Sequence, residues 1–341
     1  MAVATIKDVA RRAQVSTATV SYVLNGTGVV SEATRARVLA AVAELGYQPN
    51  HSARALRTRS HTIGVVAPGI AGRLADPGTA EMLAGVSEAA TAAGYCLLIA
   101  APTATESEEE LALRLVRSGR VDGLIIVDLR RDDERPALFA DAGVPVIAIG
   151  SPTSGVACPV VGFDLHAGAE QAIHHLTRLG HRRIALINFP SDLSMSEPFY
   201  TGYLSALHAA GLRRDAALVI EAGSSETDGV AAMQELLTLR HPPTAVLAAS
   251  DTLAFGAMHA IRDAGLSVGA HISVIGCDDL PLAAHTYPPL TTLRTPRREL
   301  GTTIARHLIA QIERRPVPAV TLLPLRLIIR HSTAAPSPMS G

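Results

Sequence analysis

The sequence predicts an all-α head of about fifty residues followed by an α/β body of two lobes, each built on a doubly wound parallel sheet. Three observations carry that prediction. Residues 1–60 hold eight Lys/Arg against three acids, a balance of +5, while the remainder stands at −6. From about Thr62 onward, short β-branched runs alternate with Ala/Leu/Glu-rich helical stretches, the pattern of parallel layers joined by right-handed crossovers. A faint internal echo, GVSEAATAAGY against GYLSALHAAGL, sets Gly85 nine residues before Gly94 and Gly202 nine before Gly211. At 341 residues, 48% hydrophobic and 18% charged, the chain is long enough for two or three domains and too apolar for disorder.

The head reads as three capped helices. Thr5 starts the first, with Asp8 as the capping-box acid and Ile6, Val9, Ala10 and Ala13 on one face. Gln14-Val15 makes a tight turn, and Ser16 caps a second helix that runs to about Leu24 and ends at Asn25-Gly26. Ser31 caps a third, with Val38, Leu39 and Val42 as its apolar positions. Two short helices joined by a turn of about four residues fit a helix-turn-helix, whose second helix enters the major groove. That helix presents Thr17, Ala18, Thr19, Ser21 and Tyr22, and the basic charge around it points to double-stranded DNA as the partner.

In the body, strands are expected at 62–66, 95–99, 124–127 and 146–149, with helices ending at Gly94, Gly119 and Gly143. A second set is expected at 160–163, 184–187, 218–220, 245–249 and 273–275. Two such sheets with their strand ends facing each other enclose a ligand cleft.

TIKDVARRAQVSTATVSYVLNG and VSEATRARVLAAVAELGYQPNHSARAL closely resemble the lac-repressor family of bacterial transcription regulators. The body carries the resemblance at lower density in TIGVVAP, VDGLIIV, LGHRRIALI, SDTLAFGAMHAIRDAGL, ISVIGCDDLPLA and PPLTTLRTP. It implies a helix-turn-helix head on a periplasmic-binding-protein-like core, working as a homodimer or dimer of dimers that represses transcription under the control of a small-molecule effector, as inducer or co-repressor. Thr17, Ala18 and Tyr22 would then face base edges, with Thr5, Ser16, Thr19, Ser21 and Asn25 set on the backbone. Residues 50–58 would form a hinge helix that contributes Asn50 and His51 and places Ala53 and Leu56 in the minor groove, two Leu56 side chains kinking the duplex. The implied divisions are 1–49 for the head, 50–61 for hinge and linker, 62–161 with 290–322 for the first lobe, and 162–289 with 323–333 for the second. Residues 334–341 are expected to be a flexible tail.

Several residues depart from the family pattern. Gln14 stands where many members carry Gly, so the turn is expected to bear slight strain. Tyr22 stands where many carry Arg, which removes the commonest bidentate contact to guanine. In the cleft, Asp278 matches the ligand-facing acid, but Cys277 replaces the usual aromatic, Ser250 the usual Asn, and Phe199 the usual ligand-binding Arg. Gly78-Thr79 replaces a common aromatic pair in a longer loop that also holds Arg73 and Asp76. A sugar-like or other neutral, partly apolar ligand reaching Asp278 and Ser250 is therefore expected. An anion held by a bidentate Arg is disfavoured unless Arg73 swings in. Asp278 as a merely structural carboxylate stays open.

Other classes find little support. The N-terminus lacks a signal-peptide run, no stretch of eighteen apolar residues appears, and three distant cysteines make no disulfide framework, so a cytoplasmic, nucleoid-associated protein without membrane contact is expected. His174, His175 and His181 lack a carboxylate or Cys to complete a metal set, and no cofactor motif occurs. The adjacent acids Asp278-Asp279 would point to opposite faces of a strand, unsuited to paired acid/base catalysis. An enzyme is not expected. Two alternatives remain: a solute-binding protein with no regulatory role, and a regulator that senses a protein partner.

Overall fold

The computed structural model describes residues 6–25, 30–45, 60–69, 74 and 76–337. The chain divides into two compact units, residues 1–60 and 61–341. In the first, α1 (Ile6–Ala13), α2 (Thr17–Asn25) and α3 (Glu32–Leu45) pack around Val9, Ala13, Val20, Val23, Val38 and Ala41. Ser16 caps α2 as its position predicts, its Oγ accepting from the Thr19 amide at 3.1 Å. Ser31 does the same for α3 through the Thr34 amide at 3.3 Å. Gln14 sits at φ +54°, the left-handed conformation that a glycine would adopt more cheaply. Leu39 departs from expectation: half of it is exposed, because Val38 and Ala41 occupy the side of α3 that faces the core. Thr5, Asn50, His51, Ala53, Leu56 and Arg73 lie outside the described residues.

The second unit alternates strands and helices. The order is β1 (Thr62–Val66), α4 (Pro77–Ala92), β2 (Cys96–Ala100), α5 (Glu108–Arg117), β3 (Gly123–Ile126), α6 (Arg135–Asp141), β4 (Val146–Ile149) and β5 (Val160–Phe163). The chain continues through α7 (Leu165–Arg178), β6 (Ile184–Asn188), α8 (Ser196–Ala209), β7 (Val219–Glu221), α9 (Glu226–Leu237) and β8 (Ala245–Ala248). It closes with α10 (Asp251–Asp263), β9 (Ser273–Asp278), β10 (Thr291–Arg294), α11 (Arg297–Ile312), β11 (Val320–Leu323) and β12 (Arg326–Ile328).

These strands form two six-stranded sheets, ordered β2-β1-β3-β4-β5-β11 and β7-β6-β8-β9-β10-β12. Each opens with the same doubly wound order, and each takes its last strand from the C-terminal stretch. Pairing is parallel except between β10 and β12. In the first sheet Ile63 of β1 sits opposite both Leu97 of β2 and Gly123 of β3. The central strands are buried along their whole length, which is why they read as unbroken β-branched runs rather than alternating ones.

Three differences from the sequence reading stand out. Gly162 and Phe163 belong to β5 in the first sheet, so the chain leaves the first lobe after residue 163 rather than at 161. Residues 291–294 form β10 of the second sheet, not the start of the returning first-lobe segment. Both shifts have one cause: a strand is held along its length by its neighbours, so crossings fall in the loops beyond strand ends. The third concerns the tail, whose first residue is fixed. The Ala334 amide donates to Ser273 Oγ at 3.0 Å, and its carbonyl accepts from His181 Nε2 at 2.9 Å. Among the described residues no helix is long and apolar enough to cross a membrane.

Candidate functional site

The carboxyl ends of the strands converge on one cavity of about 220 Å³. Val65 and Asp128 reach it from the ends of β1 and β3, and Phe163 from β5. The second sheet supplies Phe189, Ala249 and Asp278 beyond or at the ends of β6, β8 and β9. This is the crevice that doubly wound sheets generate where strand order reverses, doubled by two sheets facing each other. Most of the lining is apolar; Thr79, Asp128, Asp278, Thr295 and Arg297 are its polar members.

Asp278 and Arg297 form the polar end. Arg297 opens α11, which packs on α4 of the first lobe, and Asp278 closes β9 of the second. Arg297 Nη2 donates to Asp278 Oδ1 at 2.5 Å, so the pair spans the lobes. The guanidinium also lies 6.0 Å from the Phe163 ring centroid, within cation–π range. Burial pushes the Asp278 carboxyl above the usual range even though Arg297 opposes it. Behind it, burial and the charge of Asp278 push Asp251 up to about 7. Asp251 is fully buried, accepting from the Leu280 amide at 2.7 Å and from Thr292 Oγ1 at 2.5 Å. It thereby fixes the turn that follows β9.

That turn is strained. Asp278 holds φ +132° and Asp279 φ +59°, conformations that cost roughly 1–3 kcal/mol each in a residue with a Cβ. The two carboxylates take different arginines. Asp279 accepts from Arg294 Nε at 2.6 Å and Arg330 Nη2 at 2.5 Å, leaving Asp278 to face the cavity.

The structure sorts the cleft residues read from the sequence. Phe199 and Asp278 line the cavity together. Ser250 and Asp76 do not line it; both cap helices. Ser250 is the N-cap of α10, its Oγ accepting from the Leu253 amide at 3.1 Å. Asp76 caps α4, its Oδ2 taking the Thr79 amide at 2.7 Å and the Thr79 hydroxyl at 2.8 Å. Ser250 Oγ and Asp76 Oδ2 are thus each engaged by an orphan amide of a first helical turn.

In the head, Thr17, Ala18 and Tyr22 are exposed on α2, with Thr19 and Ser21 half-buried beside them. Ser16 is exposed while it caps the helix, and Asn25 ends it. A short helix with one polar, unencumbered face on a three-helix core is the geometry of a groove-reading element.

Residues 5–50 match the family model described as bacterial regulatory proteins, lacI family, and residues 173–333 match that of a periplasmic binding protein-like domain. The chain is 39% identical over 339 residues to the HTH-type transcriptional regulator AglR of Rhizobium meliloti, covering 98% of this chain and 95% of that protein. It is 34% identical to the transcriptional repressor CytR of Escherichia coli K12, with 97% of each chain covered. The chain belongs to the lacI family.

Solved structures of the lacI family agree. A lac repressor dimer bound to operator and the anti-inducer ONPF superposes with a TM-score of 0.85 at 32% identity, covering 98% of this chain and all of that one. A complex of the regulator CelR with cellobiose gives 0.75 at 35% identity, covering 96% and 99%. This lacI-family protein is thus a DNA-binding transcription regulator whose activity is modulated by an effector, and it is not an enzyme. One cleft residue escaped the sequence reading, Arg297. A signal for it exists: consecutive arginines in the first turn of a helix oppose the helix dipole and call for an anionic partner elsewhere in the fold.

Proposed function

We propose that the protein is a repressor that binds palindromic operators as a homodimer and releases or tightens its hold when a small neutral effector enters the inter-lobe cleft. The observation that carries this is the cavity at the strand ends of both lobes, lined mostly by apolar groups with Asp278 and Arg297 at one end. A ligand there touches both sheets, so it changes the balance between lobe arrangements to the extent that it binds one better than the other. The volume lies below the roughly 300–1,000 Å³ of drug-sized sites. It suits one substituted ring, sugar-like or otherwise neutral, rather than two. Coupling to DNA runs through residues 50–58, whose paired hinges insert Leu56 when ordered. Thr17, Ala18 and Tyr22 read bases, with Thr5, Ser16, Thr19, Ser21 and Asn25 on phosphates, and the protein works in the cytoplasm at the nucleoid.

Selection of a consensus from random duplexes, followed by affinity measurements across salt concentrations, tests the reading. A logarithmic slope of about −0.9 per phosphate neutralised is expected, and salt-independent or absent binding overturns it. Tyr22→Arg should add a preference for guanine at one position of each half-site, worth about 1–3 kcal/mol. An unchanged consensus removes Tyr22 from the base-reading set.

A further inference from the structure

The lac-repressor resemblance places a ligand-binding arginine at position 199, where this chain has Phe. Phe199 is buried in the cavity wall and carries no hydrogen-bonding group. Yet a guanidinium does line the cavity, delivered from a different element, the first turn of α11. Its place is made by Gly78. A Cβ at that position would lie 2.7 Å from Arg297 Nε and 2.9 Å from Cζ, so any side chain there would push the guanidinium aside. The Nε buried against Gly78 has no partner among the described residues, which marks the position as dictated by the end of the side chain rather than by Nε itself. Phe163 flanks the guanidinium and Asp278 takes Nη2.

That hydrogen bond engages one of five guanidinium N–H groups and one of two carboxylate oxygens. A ligand at the polar end therefore meets a donor and an acceptor side by side. Arg297 is the only cation among the described lining residues, while Asp128 and Asp278 both line the cavity and Asp76 and Asp251 lie close to the pair. Excess negative charge opposes an anion. The guanidinium opposes a cation at the same spot.

We propose that Arg297, admitted by the missing side chain at Gly78, is the specificity-determining residue of the cleft, and that with Asp278 it selects an uncharged ligand presenting a hydrogen-bond acceptor next to a donor. The proposal rests on the reading of the cleft as the effector site. Neighbouring hydroxyls on a ring and the amide edge of a cyclic amide or nucleobase both meet the requirement, while the opposite wall, with Phe199, takes an apolar face.

Thermal shift and operator binding on the full chain test it, with hexoses, inositols, nucleosides and cyclic amides as neutral probes and glucuronate, benzoate and tyramine as charged ones. A neutral probe is expected to raise Tm. Arg297→Met and Gly78→Ala should each weaken that probe by about tenfold or more, the loss of one hydrogen bond to a charged group. In the Arg297→Met background, Gly78→Ala should add nothing, which a merely structural glycine would not show. Arg298→Gln, whose parent pairs with Glu88 on the surface, should leave probe affinity unchanged. Tighter binding of a charged probe, undiminished affinity in Arg297→Met, or silence across the neutral probes overturns the assignment. A charged probe that alters operator affinity would leave the effector reading standing while this assignment falls. A neutral probe held by Arg297 without effect on operator affinity would do the reverse.

Discussion

The two lobes share a backbone plan and differ in what their equivalent positions carry. Both sheets run in the same order through their first five strands. The glycine echo maps onto this plan: Gly94 and Gly211 sit just past the ends of α4 and α8 at φ +78° and +68°. Gly85 and Gly202 lie where each helix meets a neighbour, a Cβ there falling 2.2 Å from the carbonyl oxygens of Arg298 and His166. A helix-to-strand corner is also repeated, before β3 in the first lobe and before β6 in the second. Arg120 and His181 each follow a positive-φ glycine and donate their amides five residues back, yet Arg120 is exposed and His181 buried. Likewise the polar end of the cleft takes its cation from the first lobe and its acid from the second. The frame is set by backbone approach, and side chains at strand ends and corners are free to specialise.

The largest expected effect attacks that shared frame. Gly85→Leu and Gly202→Leu each force a side chain into a neighbouring backbone, which cannot swing away as a flexible side chain can. Overpacking of this kind costs typically about 1–3 kcal/mol, and a backbone clash belongs at the upper end. Chemical denaturation should show the loss for both, and hydrogen exchange should localise it to α4 with α11 for the first and α7 with α8 for the second. Wild-type stability in either variant would break the equivalence of the two helix crossings.

What was legible in the sequence follows the same division. Local signals worked where the physics is local: Ser16 and Ser31 cap the helices they precede, and the buried central strands stand out as β-branched runs. The adjacent acids 278 and 279 take different arginines, but through a positive-φ turn at the strand end rather than through strand alternation. The N-cap roles of Ser250 and Asp76 are legible from local spacing too. An Asp followed by Pro, or a Ser followed by an acid, before a helical stretch is an N-cap signature. The exchange of β11 and β12 between sheets, and the meeting of Gly78 with Arg297, depend on contacts between distant segments that no local pattern reports.

The second effect tests the asymmetry across the cleft. Arg297→Met leaves the Asp278 carboxylate without its cation, and Asp278→Asn leaves the guanidinium without its counter-charge. Removing one partner of a fully buried pair costs about 3–5 kcal/mol, but 22% of the Arg297 side chain is exposed, so about 2 kcal/mol is expected for each. The double variant should be less destabilised than the sum, because neither charge is left stranded. Additive losses in a double-mutant cycle would show that the two side chains support their own lobes separately and do not couple them.

The smallest effect distinguishes the two corners. His181 packs neutral, Nε2–H donating to the Ala334 carbonyl and Nδ1 sharing a hydrogen bond with Thr244 Oγ1 at 2.9 Å. Burial holds the imidazole below its ordinary 6.5, so in the window beneath that value the folded chain binds fewer protons than the unfolded one. The contribution to stability is complete above 6.5 and is lost as pH falls through the folded value. His175 and His307 are lowered by burial as well and add slopes of the same sign, whereas Asp251, raised to about 7, contributes stability that is lost as pH rises through that value. The diagnostic is therefore a difference of slopes. His181→Gln should fall less steeply in Tm than the parent between pH 7 and pH 5, while Arg120→Gln at the similar corner before β3 should follow the parent curve. Parallel curves for His181→Gln and the parent would mean that protonation of His181 does not contribute to the acid loss of stability.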